Sequence, residues 1–150
     1  MLHFEGDRDF PAPPADVWAR LTDARFLAAC LPDVDKVEQA EADRAVLVLR
    51  PSLAFVRGTL DVTLEVTERT PPASARLRAT GKGVGSSSAV EATLAFAPHD
   101  GGTRVHWAAE AKELGGLLKL VPQGLIHGAA QKVINDAWAA VEKKLREGGS

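Results

Sequence analysis

The chain has no tyrosine, one cysteine, one methionine and almost no surplus charge: 18 Lys and Arg against 20 Asp and Glu leave a net charge of −2. Each shortage excludes something. Without tyrosine no phenol can act as an acid or orient a carbonyl. A lone Cys30 rules out an intramolecular disulfide. A balanced charge, with basic and acidic residues interleaved, gives no diffuse attraction for a phosphate backbone, so nucleic acid is not expected as a partner. The longest apolar stretch without a charge, Leu120 to His127, is far short of the ~20 residues of a membrane-spanning helix. No basic segment followed by an apolar run marks export, so a cytoplasmic location is expected, with any membrane contact peripheral, at the inner face of the cell membrane.

What is present suits one ordinary domain, residues 1–150, at 45% hydrophobic and 25% charged residues. The opening "LHFEGDRDF" alternates Leu2, Phe4 and Phe10 with charges, the period of a half-buried strand. "APPADVWARLTD" then changes period. Proline stands where a first helical turn tolerates it, Asp16 lies where the helix dipole favours a carboxylate, and Val17, Trp18 and Leu21 share a face. A second short helical turn runs from Phe26 to Cys30 and stops before Leu31-Pro32. From Val34 to Lys112 nearly everything reads as strand, broken by turn chemistry at "EADR", "TPPAS" and "HDGGT". Leu60, Val62, Leu64 and Val66 alternate with Asp61 and Glu65, and the same phase recurs at Ala75, Leu77 and Ala79, at Val90 to Phe96 and at Val105 to Ala111. One face is wet, so the sheet is antiparallel.

After Gly115-Gly116 the period becomes helical. Ile126, Ala130, Val133, Ala137, Val141 and Leu145 form a stripe that ends at Lys143, Lys144 and Arg146 before Gly148, and "LGGLLKL" is an irregular lead-in ahead of Pro122. His127, Gln131, Asn135 and Trp138 form a polar-to-aromatic stripe beside it, read as a boundary face. The layout is one strand, two short helices, six strands in meander order and a long helix that covers the sheet.

"GKGVGSSSAV", Gly81 to Val90, has the composition of a phosphate-binding loop, but strands precede and follow it. No helix N-terminus stands behind the glycines, so the stretch reads as a hairpin turn. Strand counting places it at the same end of the sheet as the "RPSLAFVRG" connection and the "ELGG" exit to the helix. His3 and His106 fall on outward phases and His99 in a turn, so no metal site is expected. Cys30 reads as a small, partly buried hydrophobe. No nucleophile elbow, zinc or paired-carboxylate pattern is present, and no catalytic residue is assigned.

Phe10 to Asp23, "FPAPPADVWARLTD", then "CLPDVDKVE", "GTLDVTLEV" and "GTRVHWAAEAKELGGLL", Gly102 to Leu118, resemble the carbon monoxide dehydrogenase G-subunit (CoxG) family of the START/Bet v 1-like helix-grip superfamily. The resemblance runs from Phe4 to about Leu145. It implies an α+β helix-grip fold, with a seven-stranded antiparallel sheet wrapped around the C-terminal helix and an apolar cavity between them. It also implies a carrier without its own cofactor, linked to a molybdenum hydroxylase such as carbon monoxide dehydrogenase through maturation, membrane recruitment or quinone exchange. Asp33 follows Leu31-Pro32 where the family usually has glycine, so a differently built turn is expected there.

On this reading the ligand is a lipid or isoprenoid quinone. Leu60, Val62, Leu64, Leu77, Leu94, Phe96 and Trp107 line the sheet side of the cavity, and Leu125, Ile126, Ala129 and Ala130 the helix side. Phe55, Gly83, Gly85, Gly115, Gly116 and Leu118 stand at the pocket mouth, with the glycine hairpin as a flexible latch. Two alternatives remain: a polyketide cyclase or aromatase-like enzyme, for which Arg57 and His127 are the main inward titratable groups, and an interaction accessory with a solid core and no ligand.

Overall fold

Alternating apolar and polar side chains send every second residue to the same face of a strand, and seven such segments find one another here. The computed structural model describes residues 2–50, 58–83 and 85–147. In chain order they form β1 (His3–Phe10), α1 (Pro14–Leu21), α2 (Ala24–Cys30), β2 (Val34–Ala40), β3 (Arg44–Leu49), β4 (Leu60–Thr70), β5 (Ser74–Gly83), β6 (Ser86–His99), β7 (Gly102–Gly116), a 3-10 turn (Leu117–Leu120) and α3 (Gln123–Glu147). The strands make one antiparallel sheet in the order β1-β7-β6-β5-β4-β3-β2. Register shifts in the β2–β3, β4–β5 and β6–β7 ladders mark bulges, which bend a sheet and increase its twist.

The predicted strand phases hold. Phe4 and Phe10 of β1, Leu94 and Phe96 of β6, and Val105, Trp107 and Ala109 of β7 bury on the inner face, and Val17, Leu21 and Cys30 from the short helices and Val141 from α3 join them. A second, smaller cluster, Ala24, Ala28, Ala45 and Leu47, packs α2 onto β3. Alanine on both sides brings that helix close to the sheet. Two clusters in place of one is the feature that positions the site.

The short helices are tied down by polar contacts at the far end of the sheet from the glycine hairpin. Trp18 Nε1 donates to the Ser74 carbonyl at 3.0 Å. Arg69 of β4 donates to the carbonyls of Thr22 and Ala42 at 2.9 and 3.1 Å and pairs with Asp43. These contacts join the α1–α2 corner to the β2–β3 hairpin.

The long helix starts and stops close to the expected bounds, but its buried stripe differs. Ile126, Ala130, Ile134, Trp138, Val141 and Leu145 bury or pack against the main core, so Ile134 and Trp138 take the places expected of Val133 and Ala137. Both sets obey helical spacing, and the larger side chains gain more from burial. The Trp138 ring lies 6.1 Å from that of Phe10 and 5.9 Å from that of Trp107. It is a core residue, which corrects its assignment to the boundary stripe. Gln131 and Asn135 do form that boundary, the Gln131 amide donating to Asn135 Oδ1 at 3.0 Å.

Asp33 adopts φ 60°, the left-handed conformation that a glycine would supply. The turn after Leu31-Pro32 therefore keeps a glycine-like path, against the expectation of a different one, and aspartate is among the few L-residues that tolerate it.

Candidate functional site

Between the two clusters the inner face stays incompletely filled. Ala24 and Leu27 of α2, Leu64 and Val66 of β4, Leu77 and Ala79 of β5, and Val90 and Ala92 of β6 wall an apolar cleft of about 110 Å³, bordered by Glu65 and Arg78. Leu77, Val90 and Ala92 belong to the fringe of the main core, and Leu64 to that of the smaller one. Three of its lining residues are alanines, Ala24 on α2 and Ala79 and Ala92 on the sheet, and their small side chains leave room between helix and strands. An apolar cavity of ~150 Å³ is enough to hold benzene, whereas sites for larger ligands run to ~300 Å³ and above. At about 110 Å³ the cleft is smaller than either.

The expected lining residues divide accordingly. Leu64 and Leu77 stand in the wall, Val62 is buried, and Leu60 is half-buried on the same face. Leu94, Phe96 and Trp107 pack into the main core with Phe10 and Val141. Ile126 is buried and Ala130 packs against that core, with Ala129 half-buried beside it. Leu125 is 55% exposed, which corrects its placement on the cavity side: it lies about 100° round the helix from Ile126. The α2 residues Ala24 and Leu27 were missed because the short helix was read for its boundaries and not for its face. Val66, Ala79, Val90 and Ala92 carried the right phase.

The mouth residues gather at one end, apart from Phe55, which lies outside the described residues. Gly83 pairs with Ser86, and Ser86 with Gly116, so the β5–β6 hairpin meets the exit of β7. Leu118 is half-buried in the 3-10 turn just beyond. A Cβ on Gly83 would collide with the Thr59 carbonyl, and one on Gly116 with that of Gly85. Both glycines have positive φ, 147° and 64°. Close backbone approach leaves no room for a side chain at either position.

Ionisable groups stand mostly away from the cleft. Apart from the cleft, half-buried Arg8 of β1 donates to Glu142 of α3 at 3.0 Å, a pair that satisfies itself. His127 is exposed, its ring 4.8 Å from that of Phe4, and Arg57 lies outside the described residues. Burial pushes the Cys30 thiol up to about 11, against a small opposing effect of Lys144, so it is no thiolate nucleophile at neutral pH. Among the described residues no three His, Cys, Asp or Glu side chains could hold a metal ion.

On the outer face, His106 Nδ1 lies 2.8 Å from Asp7 and Nε2 3.4 Å from Glu5. The Asp7 hydrogen bond, reinforced by both carboxylates, raises the imidazole above its ordinary value. A raised folded-state value means stabilisation that is complete below the unfolded value, near 6.5, and lost as pH rises through the folded one. An NMR titration should find His106 protonating above pH 6.5, and Asp7→Asn should lower that midpoint. An unchanged midpoint in the variant would remove the pairing.

A model of the carbon monoxide dehydrogenase G-subunit family (CoxG) matches residues 6–146. The chain belongs to that family. Comparison with curated protein sequences gives no match. Among solved structures, a conserved protein from Geobacillus kaustophilus is similar at 25% identity, over 97% of this chain and 96% of that one, with a TM-score of 0.84. A Thermus thermophilus protein follows the chain at 18% identity over 99% and 100% of the two chains, TM-score 0.68. The Bet v 1-like protein Ara h 8.0201 does so at 13% identity over 97% and 98%, TM-score 0.65. The last two show the fold alone, and the fold of this CoxG-family chain is helix-grip α+β.

Proposed function

We propose that this CoxG-family protein is a non-catalytic binding protein for an apolar ligand, a lipid or the isoprenoid tail of a quinone. It would serve as an accessory to a molybdenum hydroxylase such as carbon monoxide dehydrogenase, in maturation, membrane recruitment or quinone exchange. The observation that carries this reading is the apolar cleft left between two core clusters that do not merge. Burial of a methylene there contributes about 0.8 kcal/mol, without any polar group to fix one head-group chemistry. The inner Arg8–Glu142 pair neutralises itself, which argues against a cyclase.

Contact with a membrane would be peripheral. No helix among the described residues is long and apolar enough to cross one. Leu120 and Leu125, 79% and 55% exposed, flank Pro122 at the corner between the 3-10 turn and α3, beside Lys119. Such a corner can press into an interface.

Native mass spectrometry of protein purified from its host, followed by solvent extraction, should reveal a co-purified apolar molecule. Protein of bare chain mass that also fails to take up an added fatty acid would favour a surface accessory with no ligand, a reading to which the small volume of the cleft lends some support. Recovery of an oxidoreductase from the host by pull-down would then identify the partner.

A further inference from the structure

Away from the cleft, a second hollow of about 260 Å³ lies beside the end of β1 and the last turn of α3. The strap from Pro11 to Pro13 forms one wall, Asp16 and Arg20 of α1 a second, and Leu145 and Arg146 of α3 the third. It shares no wall residue with the cleft. Each wall is held from behind. Thr103 of β7, fully buried, donates its hydroxyl to the Ala12 carbonyl at 2.6 Å, and a Cβ on Gly102 would collide with the Phe10 carbonyl, so the strap lies tight on the sheet. Pro11, Pro13 and Pro14 fix its φ angles. Buried Val17 and Leu21 and the Trp18 bond to Ser74 anchor α1, while Val141 and Trp138 anchor the end of α3. The hollow is therefore formed before any ligand arrives, and its volume is close to the ~300 Å³ at which small-molecule sites begin.

Its two guanidinium groups are short of partners. Arg20 is half-buried, with its guanidinium over the Phe26 ring at 5.5 Å from the centroid, and no carboxylate among the described residues pairs with it. Arg146 donates through Nε to the Glu142 carbonyl at 3.4 Å and stands 4.0 Å from the Glu142 carboxylate, which Arg8 already takes at 3.0 Å. Both arginines keep N–H donors unused. Asp16 is the one carboxylate among the described wall residues, exposed in the first turn of α1, where the helix dipole favours it. Two cations against one anion leave the hollow with one positive charge in excess, beside the apolar surface of the strap and Leu145.

We propose that this hollow binds a small organic monocarboxylate, its carboxylate held by Arg20 and Arg146 and its apolar body laid on the Pro11 to Pro13 strap and Leu145. A guanidinium meets the two oxygens of a carboxylate with parallel N–H donors, and the apolar walls take the rest of the molecule out of water. Asp16 sets the charge limit. A monocarboxylate cancels the excess charge, whereas a phosphate dianion would leave the site negative beside Asp16. Both a free acid and the C-terminal carboxylate of a partner polypeptide present this chemistry. The site is separate from the cleft, so it stands or falls independently of the carrier reading.

The test titrates the full chain, labelled with nitrogen-15, with 3-phenylpropionate and with its neutral counterpart 3-phenylpropionamide at low ionic strength, reading backbone NMR shifts. The acid should bind with a Kd on the order of a millimolar or tighter and move the backbone signals of Ala12, Asp16, Arg20 and Arg146. The neutral compound should bind at least about tenfold more weakly. Arg146→Gln, a change at an exposed side chain, and Arg20→Lys, which keeps the charge and removes the fork, should each weaken the acid by about fivefold or more. Inorganic phosphate should bind at least about tenfold more weakly than the acid, and Asp16→Asn should narrow that gap. Acetyl-Ala-Ala-Leu with a free C-terminus, compared with its amidated form, separates the sources: tighter binding of the free peptide than of 3-phenylpropionate assigns the site to a polypeptide end, and the reverse order to a free acid. No binding of either carboxylate, equal binding of charged and neutral forms, shifts confined to cleft residues such as Leu77 and Ala92, or unchanged affinity in both arginine variants would overturn the site.

Discussion

Ala92→Phe should weaken binding of cis-parinaric acid by at least about tenfold, which corresponds to ~1.4 kcal/mol. Ala92 lies in the wall of the cleft with its side chain on the inner face of β6, opposite the α2 residues Ala24 and Leu27. A benzyl group built there enters a space of about 110 Å³, somewhat less than the ~150 Å³ that accommodates benzene. It therefore occupies the room a ligand would use. The fit is tight, and an overpacking cost of ~1–3 kcal/mol in stability is expected. Ala95→Phe supplies the control, since Ala95 is exposed on the outer side of the same strand. Titration of both variants by probe fluorescence decides the matter. If both bind as the native chain does, the ligand does not use this cleft.

Trp138→Ala should be the most damaging single change on α3, lowering unfolding stability by about 3–5 kcal/mol and the melting temperature by roughly 10 °C. The ring packs against both Phe10 and Trp107, so its loss opens a hole where β1, β7 and α3 meet. The neighbouring Gln131→Ala and Asn135→Ala should each stay within ~0.5 kcal/mol, because these two amides bond to each other at the surface. Urea unfolding of the three variants separates the cases. Comparable small losses in all three would return Trp138 to the boundary face.

That contrast also shows where reading by periodicity stops. Along α3, 126-130-133-137-141 and 126-130-134-138-141 are both sound helical stripes, and spacing alone does not choose between them. The choice is made by Phe10 and Trp107, which arrive from strands distant in the chain and present a surface that Trp138 fills. Leu125 failed for a related reason: adjacent to Ile126 in sequence, it is turned by about a third of a helical revolution away from the sheet. The Asp33 turn is a third case. A different path was expected there, and the glycine-like one survives with a residue that can hold a positive φ.

The glycine-rich stretch Gly81 to Val90 was legible as a hairpin because strands bound it on both sides. Its close fit against neighbouring backbone was not legible. Only the approach of the Thr59 carbonyl to Gly83, and of the Gly85 carbonyl to Gly116, shows that the corner is fitted against its neighbours.

Strand phase, the order of elements, the long terminal helix and the outward positions of His3 and His106 all followed from the sequence by itself, since each depends on side-chain direction along a few consecutive residues. Whether an inward residue packs or walls a cleft was decided only by tertiary structure. Leu94 and Ala92 share a strand and a face, yet Leu94 lies in the core and Ala92 at the cleft. The difference is the separation between the sheet and the helices above it, and that separation is set by all the side chains between the layers at once.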